Sequence, residues 1–228
     1  PVCEGSSLQL TTAAVSGATY SWTGPNSFSS SAQNPTITGA TAAAGGNYSV
    51  TVTVAGCTSV PGNTNAVVNP TLVPSVTIAA NPGDSICEGT AVTFTATPVN
   101  GGTAIYQWRK NGLDVGVNSP VYTDNTLNNA DVITVRLTSD TLCRSMDTVN
   151  SISIAMTVTP YPVLTVTPAT QTICSGGATN IALSAPQSGA TYTWTVNQAG
   201  VSGAAAGGGN SIAQTLSNSS AVPGTAVY

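Results

Sequence analysis

Tyr20-Ser21-Trp22, Tyr106-Gln107-Trp108 and Tyr192-Thr193-Trp194 set the only three tryptophans of the chain 86 residues apart in both intervals. A constant period of that size means one unit written three times. It exceeds the roughly 20 to 50 residues of a solenoid repeat and falls near the length of a small sandwich domain, so the copies read as beads in series.

Outward from Trp108, short alternating apolar runs are separated by turn residues, the pattern of half-buried strands. Seven strands are predicted: A at Ser75 to Ala80, B at Ala91 to Thr97, C at Ala104 to Lys110, two short ones at Leu113 to Val115 and Pro120 to Thr123, F at Asp131 to Thr138, and G at Val149 to Thr159. Asn111-Gly112 is a hairpin signal between the third and fourth. No stretch has helical periodicity. The copies meet at proline-marked joints, Asn69-Pro70 to Val73-Pro74 and Thr159-Pro160 to Tyr161-Pro162, where fixed φ and missing donors give short, stiff spacers. Expected modules are therefore 1–70, 71–160 and 161–228, strung as an extended rod. Pro1 aligns with Ser85 and Tyr228 with Tyr48, so the first copy is expected to lack strand A and the last to stop before its final strands.

Composition excludes several functions. Only 5% of residues are charged, there is no histidine, and the formal net charge is −4. The four basic residues, Arg109, Lys110, Arg136 and Arg144, all lie in the middle copy, too few to displace the counterions of a nucleic acid. No apolar run nears the roughly 18 to 20 residues that a membrane helix needs, so direct membrane insertion is not expected. The regularly spaced Val, Ile and Leu argue against disorder.

The residues around each tryptophan resemble an immunoglobulin-type sandwich. In that fold a buried strand-C Trp packs on a pin between strands B and F, and a Tyr two residues before the F pin forms the tyrosine corner. The resemblance places Trp22, Trp108 and Trp194 in the cores, with apolar pins at Leu10 and Val50, at Phe94 and Val135, and at Leu183. It gives Tyr48 the corner, with Tyr228 matching it in the last copy and Ile133 standing there in the middle one. More narrowly, Val2-Cys3-Glu4-Gly5, Ile86-Cys87-Glu88-Gly89 and Ile173-Cys174-Ser175-Gly176 before B, with Ala55-Gly56-Cys57-Thr58-Ser59 after F, resemble the tandem immunoglobulin-like or PKD-like modules of large surface adhesins in gliding bacteria. That resemblance implies export by the type IX secretion system, display at the cell surface, and an adhesive or spacer role. It also implies O-linked glycans at Asp-Ser/Thr-apolar triplets, here on Ser85, Thr141 and Thr148.

Cysteines at repeat-equivalent positions of a charge-poor chain point to disulfides and an extracellular, oxidising setting. Cys3, Cys87 and Cys174 precede B, whereas Cys57 and Cys143 follow F. Pairing within modules would join Cys3 to Cys57 and Cys87 to Cys143. In an immunoglobulin-type sandwich, however, B and F run the same way, which leaves those positions some 40 Å apart at about 3.3 Å per residue, against a Cα limit near 7 Å. Stacked end to end, the start of B in one module faces the end of F in the next, so Cys3 pairs with Cys143 and the remaining three cysteines pair with modules outside these residues. Both pairings stay open on the sequence.

Catalytic machinery is not expected. Without histidine no Ser-His-Asp or Cys-His arrangement exists, and Glu4 and Glu88 are one residue repeated rather than a carboxylate pair. A zinc site lacks Cys-x-x-Cys and His. Calcium is the one cofactor for which ligands exist, should Asp114, Asp124 and Asp131 gather, since it takes six to eight oxygens; turn-forming aspartates are the alternative. The reading is a non-enzymatic spacer whose partners are neighbouring modules of the same chain. The alternatives are a glycan- or protein-binding module, centred on Arg109, Lys110 and Asp114, or accessory domains of a secreted hydrolase.

Overall fold

Alternation decides what each strand buries. Along Val132–Thr138, Ile133, Val135 and Leu137 turn inward while the residues between them turn out, because successive side chains leave opposite faces of a strand. The computed structural model describes Pro1–Tyr228, which divides into two compact units, Pro1–Thr159 and Pro160–Tyr228. The first unit holds two separate apolar clusters, each inside its own β-sandwich.

The first sandwich comprises β1 (Val2–Cys3), β2 (Leu8–Gln9), β3 (Thr19–Gly24), β4 (Phe28–Ser30), β5 (Thr36–Ile37), β6 (Gly46–Val54), β7 (Cys57–Thr58), β8 (Gly62–Ala66) and β9 (Val68–Asn69), with a 3-10 turn at Ala42–Ala44. One sheet is β2–β5. The other runs β4–β3–β6, with β7 and β8 sharing the far edge of β6, and β1 lies parallel to β9. Leu8, Leu10, Trp22, Tyr48 and Val50 fill the space between.

The second sandwich repeats the plan with β10 (Ser75–Asn81), β11 (Ser85–Cys87), β12 (Val92–Val99), β13 (Ile105–Lys110), β14 (Leu113–Val115), β15 (Val121–Asp124), β16 (Val132–Thr138), β17 (Thr148–Asn150), β18 (Ile154–Ala155) and β19 (Thr157–Thr159). Sheet β10–β12–β15 faces sheet β14–β13–β16–β17, and β11 runs parallel to β19. That is the A–B–E against C′–C–F–G order of an immunoglobulin-like sandwich. Two features differ from the sequence reading. Strand β11 is additional, and G is three pieces rather than one. The break falls where the Ser151 hydroxyl takes the Val135 N–H at 3.0 Å in place of a ladder carbonyl, a side-chain bond that competes with regular pairing; beyond it G pairs with F again at β18 and then joins β11 at β19.

In Pro160–Tyr228, β20 (Thr165–Thr167), β21 (Ile181–Ser184) and β25 (Ser211–Ile212) form one antiparallel sheet, while β22 (Thr193–Trp194) pairs β24 (Gly207–Gly208) and β23 (Asn197–Ala199) pairs β26 (Thr225–Val227). Leu183 is buried there.

All three indoles donate to a carbonyl eleven residues further on: Trp22 to Gln33 at 3.2 Å, Trp108 to Ser119 at 2.9 Å and Trp194 to Ala205 at 3.1 Å. Burial separates them. Trp22 and Trp108 are 2% and 0% exposed, but Trp194 is only half-buried, which corrects its placement in a closed core. Trp22 lies between Val50 and Ser30, and Trp108 between Val135 and Val115. Trp194 has Gly207 alone beside it in its sheet, and glycine brings no side chain to cover the ring.

Candidate functional site: a disulfide-bridged joint

The segment linking the two sandwiches of Pro1–Thr159 is docked rather than free. Parallel pairing sets Cys3 opposite Asn69, and the N–H groups of Val2 and Glu4 reach the carbonyls of Val67 and Asn69 at 2.9 and 2.8 Å. The entry to strand B and the exit from strand G therefore lie side by side at this end of the first sandwich. From the second sandwich comes the turn after β16. Its Ser139 and Thr141 hydroxyls both donate to the Asn100 carbonyl at 2.9 and 2.8 Å, and Asp140 accepts the Thr103 N–H at 2.6 Å. So held, the turn presents Cys143.

Cys3 and Cys143 are joined by a disulfide with a Cα separation of 5.2 Å, inside the usual range for such bridges. Around it the linker makes hydrogen bonds of its own: Leu72 N–H to the Cys143 carbonyl at 2.9 Å, Ser145 N–H to the Leu72 carbonyl at 2.8 Å, and the Asn100 side-chain amide to the Val73 carbonyl at 3.0 Å. The intramodule pairings do not form. Cys57, Cys87 and Cys174 are free and exposed. Leu72, Asn100 and Arg144, the last in a parallel bridge with Leu72, carry no signal in the sequence, because their role comes from a loop of one sandwich meeting the linker of the next.

The charged residues of the second sandwich do not make a calcium site. Asp114 pairs with Arg109 at 2.8 Å on the adjacent strand, away from the other two aspartates. Asp124 and Asp131 come together around the Lys110 ammonium, at 3.0 and 3.4 Å, with all three side chains largely buried. Asp124 also accepts the Tyr122 hydroxyl and the Thr126 hydroxyl and N–H, each at 2.7 Å. Asp131 accepts the Asn128 N–H at 2.8 Å and the Asn111 amide at 2.7 Å. Burial by itself would raise both carboxyls. The bonds from Tyr122, Thr126 and Lys110 outweigh it at Asp124, those from Asn128, Asn111 and Lys110 do so at Asp131, and both end below the ordinary carboxylate range. Where calcium was one of two readings of these aspartates, the chain places its own cation, Lys110, between two of them.

Of the three hydroxyls in Asp-Ser/Thr-apolar triplets, Ser85 and Thr148 are exposed on β11 and β17. Thr141 is half-buried with its hydroxyl committed to Asn100, so it is the least available of the three. The Tyr48 hydroxyl donates to the Ala44 carbonyl at 2.7 Å, closing a buried tyrosine corner. Tyr228 differs, since its hydroxyl meets the Gln214 side chain at 2.9 Å instead of backbone.

A PKD-like domain model matches residues 171–228. The two sandwiches of Pro1–Thr159 are immunoglobulin-like in sheet order, and the PKD-like match falls within Pro160–Tyr228 alone. No curated protein matches the sequence. Among solved structures the chain is similar to the N-terminal four Ig domains of Dscam1 isoform 6.9, at 15% identity over 69% of this chain and 42% of that one, with a TM-score of 0.37. Murine CEACAM1b is similar at 14% identity over 69% of this chain and 95% of that one, TM-score 0.35. The N-terminal eight Ig domains of DSCAM isoform 1.30.30 are similar at 12% identity over 87% of this chain and 33% of that one, TM-score 0.35. The chain thus spans less than half of either Dscam structure. At these TM-scores the likeness adds nothing to what sheet order and register already establish.

Proposed function

We propose that the chain is a non-enzymatic, load-bearing repeat segment of an extracellular cell-surface adhesin or stalk, built from modules 1–70, 71–160 and 161–228, that spaces or presents adhesive regions. The observation that carries this reading is the Cys3–Cys143 bridge. A bond across a joint does nothing for a catalytic pocket, but it changes how the chain bears tension. Force entering near Pro1 passes from Cys3 straight to Cys143, so nearly all of both sandwiches lies outside the stretched path. The bridge also constrains the unfolded chain, by roughly 5 kcal/mol for a closed loop of this length on the chain-entropy account. The disulfide supports an oxidising compartment, and the motif resemblance supports export by the type IX system of gliding bacteria.

Single-molecule pulling from the two ends tests the mechanical part. The cysteines are 140 residues apart, which at about 3.4 Å per residue hides roughly 480 Å of extension. Reduction should release that length, and a chain that extends equally with and without reductant would remove the basis of the proposal. On cells, replacing Cys3 and Cys143 with Ser should weaken attachment under flow while leaving static attachment intact. Loss of static binding on replacing the half-exposed Arg109 would instead favour a receptor face.

A further inference from the structure

The chain has two Asn-Gly dipeptides, Asn100-Gly101 and Asn111-Gly112. Both asparagines are exposed and sit at positive φ, 52° and 54°, a conformation asparagine takes more readily than most residues with a side chain. One holds the joint and the other the Lys110–Asp124–Asp131 cluster. The Asn100 carbonyl takes the Ser139 and Thr141 hydroxyls of the turn that presents Cys143, while its side-chain amide reaches the Val73 carbonyl of the linker at 3.0 Å. A single residue therefore fastens both halves of the joint. At Asn111 both ends of the side-chain amide are engaged, Nδ2 on Asp131 and Oδ1 by the Val132 N–H.

Glycine after asparagine leaves its backbone nitrogen unusually open to attack the side-chain carbonyl, because no Cβ stands in the way. The Gly nitrogen bonds to the Asn Cγ, and Nδ2 departs as ammonia, taking the Gly proton and leaving a succinimide ring. Water then opens the ring at either carbonyl, to give aspartate or a β-linked isoaspartate. Solvent water is the sole co-reactant. To react, the side chain must first leave its partners. Asn111 gives up two bonds, one of them to a carboxylate and partly buried. Asn100 gives up one neutral, exposed bond.

We propose that Asn100 is a site of spontaneous deamidation, and that its conversion loosens the joint while the Cys3–Cys143 bond stays closed. Aspartate at this position has no side-chain donor, so a carboxylate meets the Val73 carbonyl, acceptor to acceptor. It also adds negative charge to a turn whose Thr103 N–H already binds Asp140. Isoaspartate goes further, since it routes the main chain through the former side chain. The carbonyl that held Ser139 and Thr141 becomes a free carboxylate, displaced by a methylene from the new backbone. Neither step depends on the chain bearing load.

The intact, oxidised chain is aged in mildly alkaline buffer, sampled over time, then reduced and mapped with trypsin. Arg109 and Lys110 lie between the two asparagines, so each conversion is read on its own peptide, and isoaspartyl methyltransferase labels the β-linked product. In the folded chain Asn100 should convert about tenfold faster than Asn111, the worth of one further bond to a charged group. In urea after reduction the two rates should converge. As conversion proceeds, the Leu72 and Ser145 amide hydrogens, which bond across the joint, should exchange about fivefold faster, with β3, β6, β13 and β16 unchanged. Asn100→Asp, which tolerates the same φ, should show that faster exchange from the start. Asn100→Gly cannot deamidate, so its joint exchange should stay constant with age. Equal rates at the two asparagines in the folded chain, or earlier conversion of Asn111, would overturn the site. Joint amides that exchange alike before and after conversion would overturn the loosening.

Discussion

Entering strand F, the first sandwich carries Tyr48 and the second carries Ile133, both fully buried. In the first, the corner is neutral: the Tyr48 hydroxyl bonds the Ala44 carbonyl, and Phe28 meets the ring edge-on at 5.5 Å. Ile133 has no hydroxyl to offer. Its sandwich holds the same crossover with Lys110 from β13, Asp124 from the end of β15 and Asp131 at the entry to β16. Asn111 completes the fastening, giving its amide to Asp131 and accepting the Val132 N–H at 2.9 Å. One fold position thus has two solutions of opposite electrostatic character. A neutral bond costs little to bury and does not respond to pH, whereas a buried triad depends on every member staying charged and paired.

Removing the ammonium should break the comparison most sharply. Lys110→Met leaves two buried carboxylates without a counter-ion, a loss of about 3 to 5 kcal/mol. Amide exchange should show opening of β12, β13 and β16 with β3 and β6 unchanged. Acid should do the same more gently, because protonated carboxyls can still hydrogen-bond. Asp124 and Asp131 are held below the ordinary carboxylate range in the folded state, so the unfolded chain takes up protons first. Their contribution is complete above that range and declines as pH falls below about 4 toward the folded values. The second sandwich should lose exchange protection there before the first, and simultaneous loss in both would contradict the assignment.

Tyr48→Phe probes the neutral corner. It removes one bond and leaves a buried carbonyl unsatisfied, for about 1 to 3 kcal/mol. The loss should be confined to the first sandwich and equal at pH 4 and pH 7, measured by denaturant unfolding of that sandwich. A pH-dependent loss would mean that charge reaches this corner after all.

Much of this architecture was legible because it is periodic. The tryptophan interval and the alternation along Val132–Thr138 announce repeated sandwiches, and opposed ends of B and F make the cross-joint geometry of Cys3 and Cys143 readable. The triad was not legible. Asp124, Asp131 and Lys110 are separated along the chain, and aspartates beside Asn and Thr read equally well as turns or calcium ligands until the register of β13 brings the lysine between them. Nor did the period disclose that Trp194 is half-covered, since an equal sequence position does not guarantee an equal neighbour, and Gly207 stands where a larger residue shields the other indoles.

The smallest expected effect separates burial from charge within the second sandwich itself. Arg109 and Asp114 are directly opposed on β13 and β14 and as close, at 2.8 Å, as any member of the triad. Their side chains, however, are 31% and 56% exposed, against 7% for Asp124. Water solvates and salt screens an exposed pair, so Asp114→Asn should cost only about 0.2 to 1 kcal/mol, and less still at high ionic strength. Asp124→Asn, by contrast, strands a partly buried ammonium and should keep most of its cost when salt is added. Denaturant unfolding of both variants at low and high salt would read the contrast. Equal costs for the two would mean that proximity alone sets the strength of these pairs, and the triad would lose its claim to be the fastening that replaces the tyrosine corner.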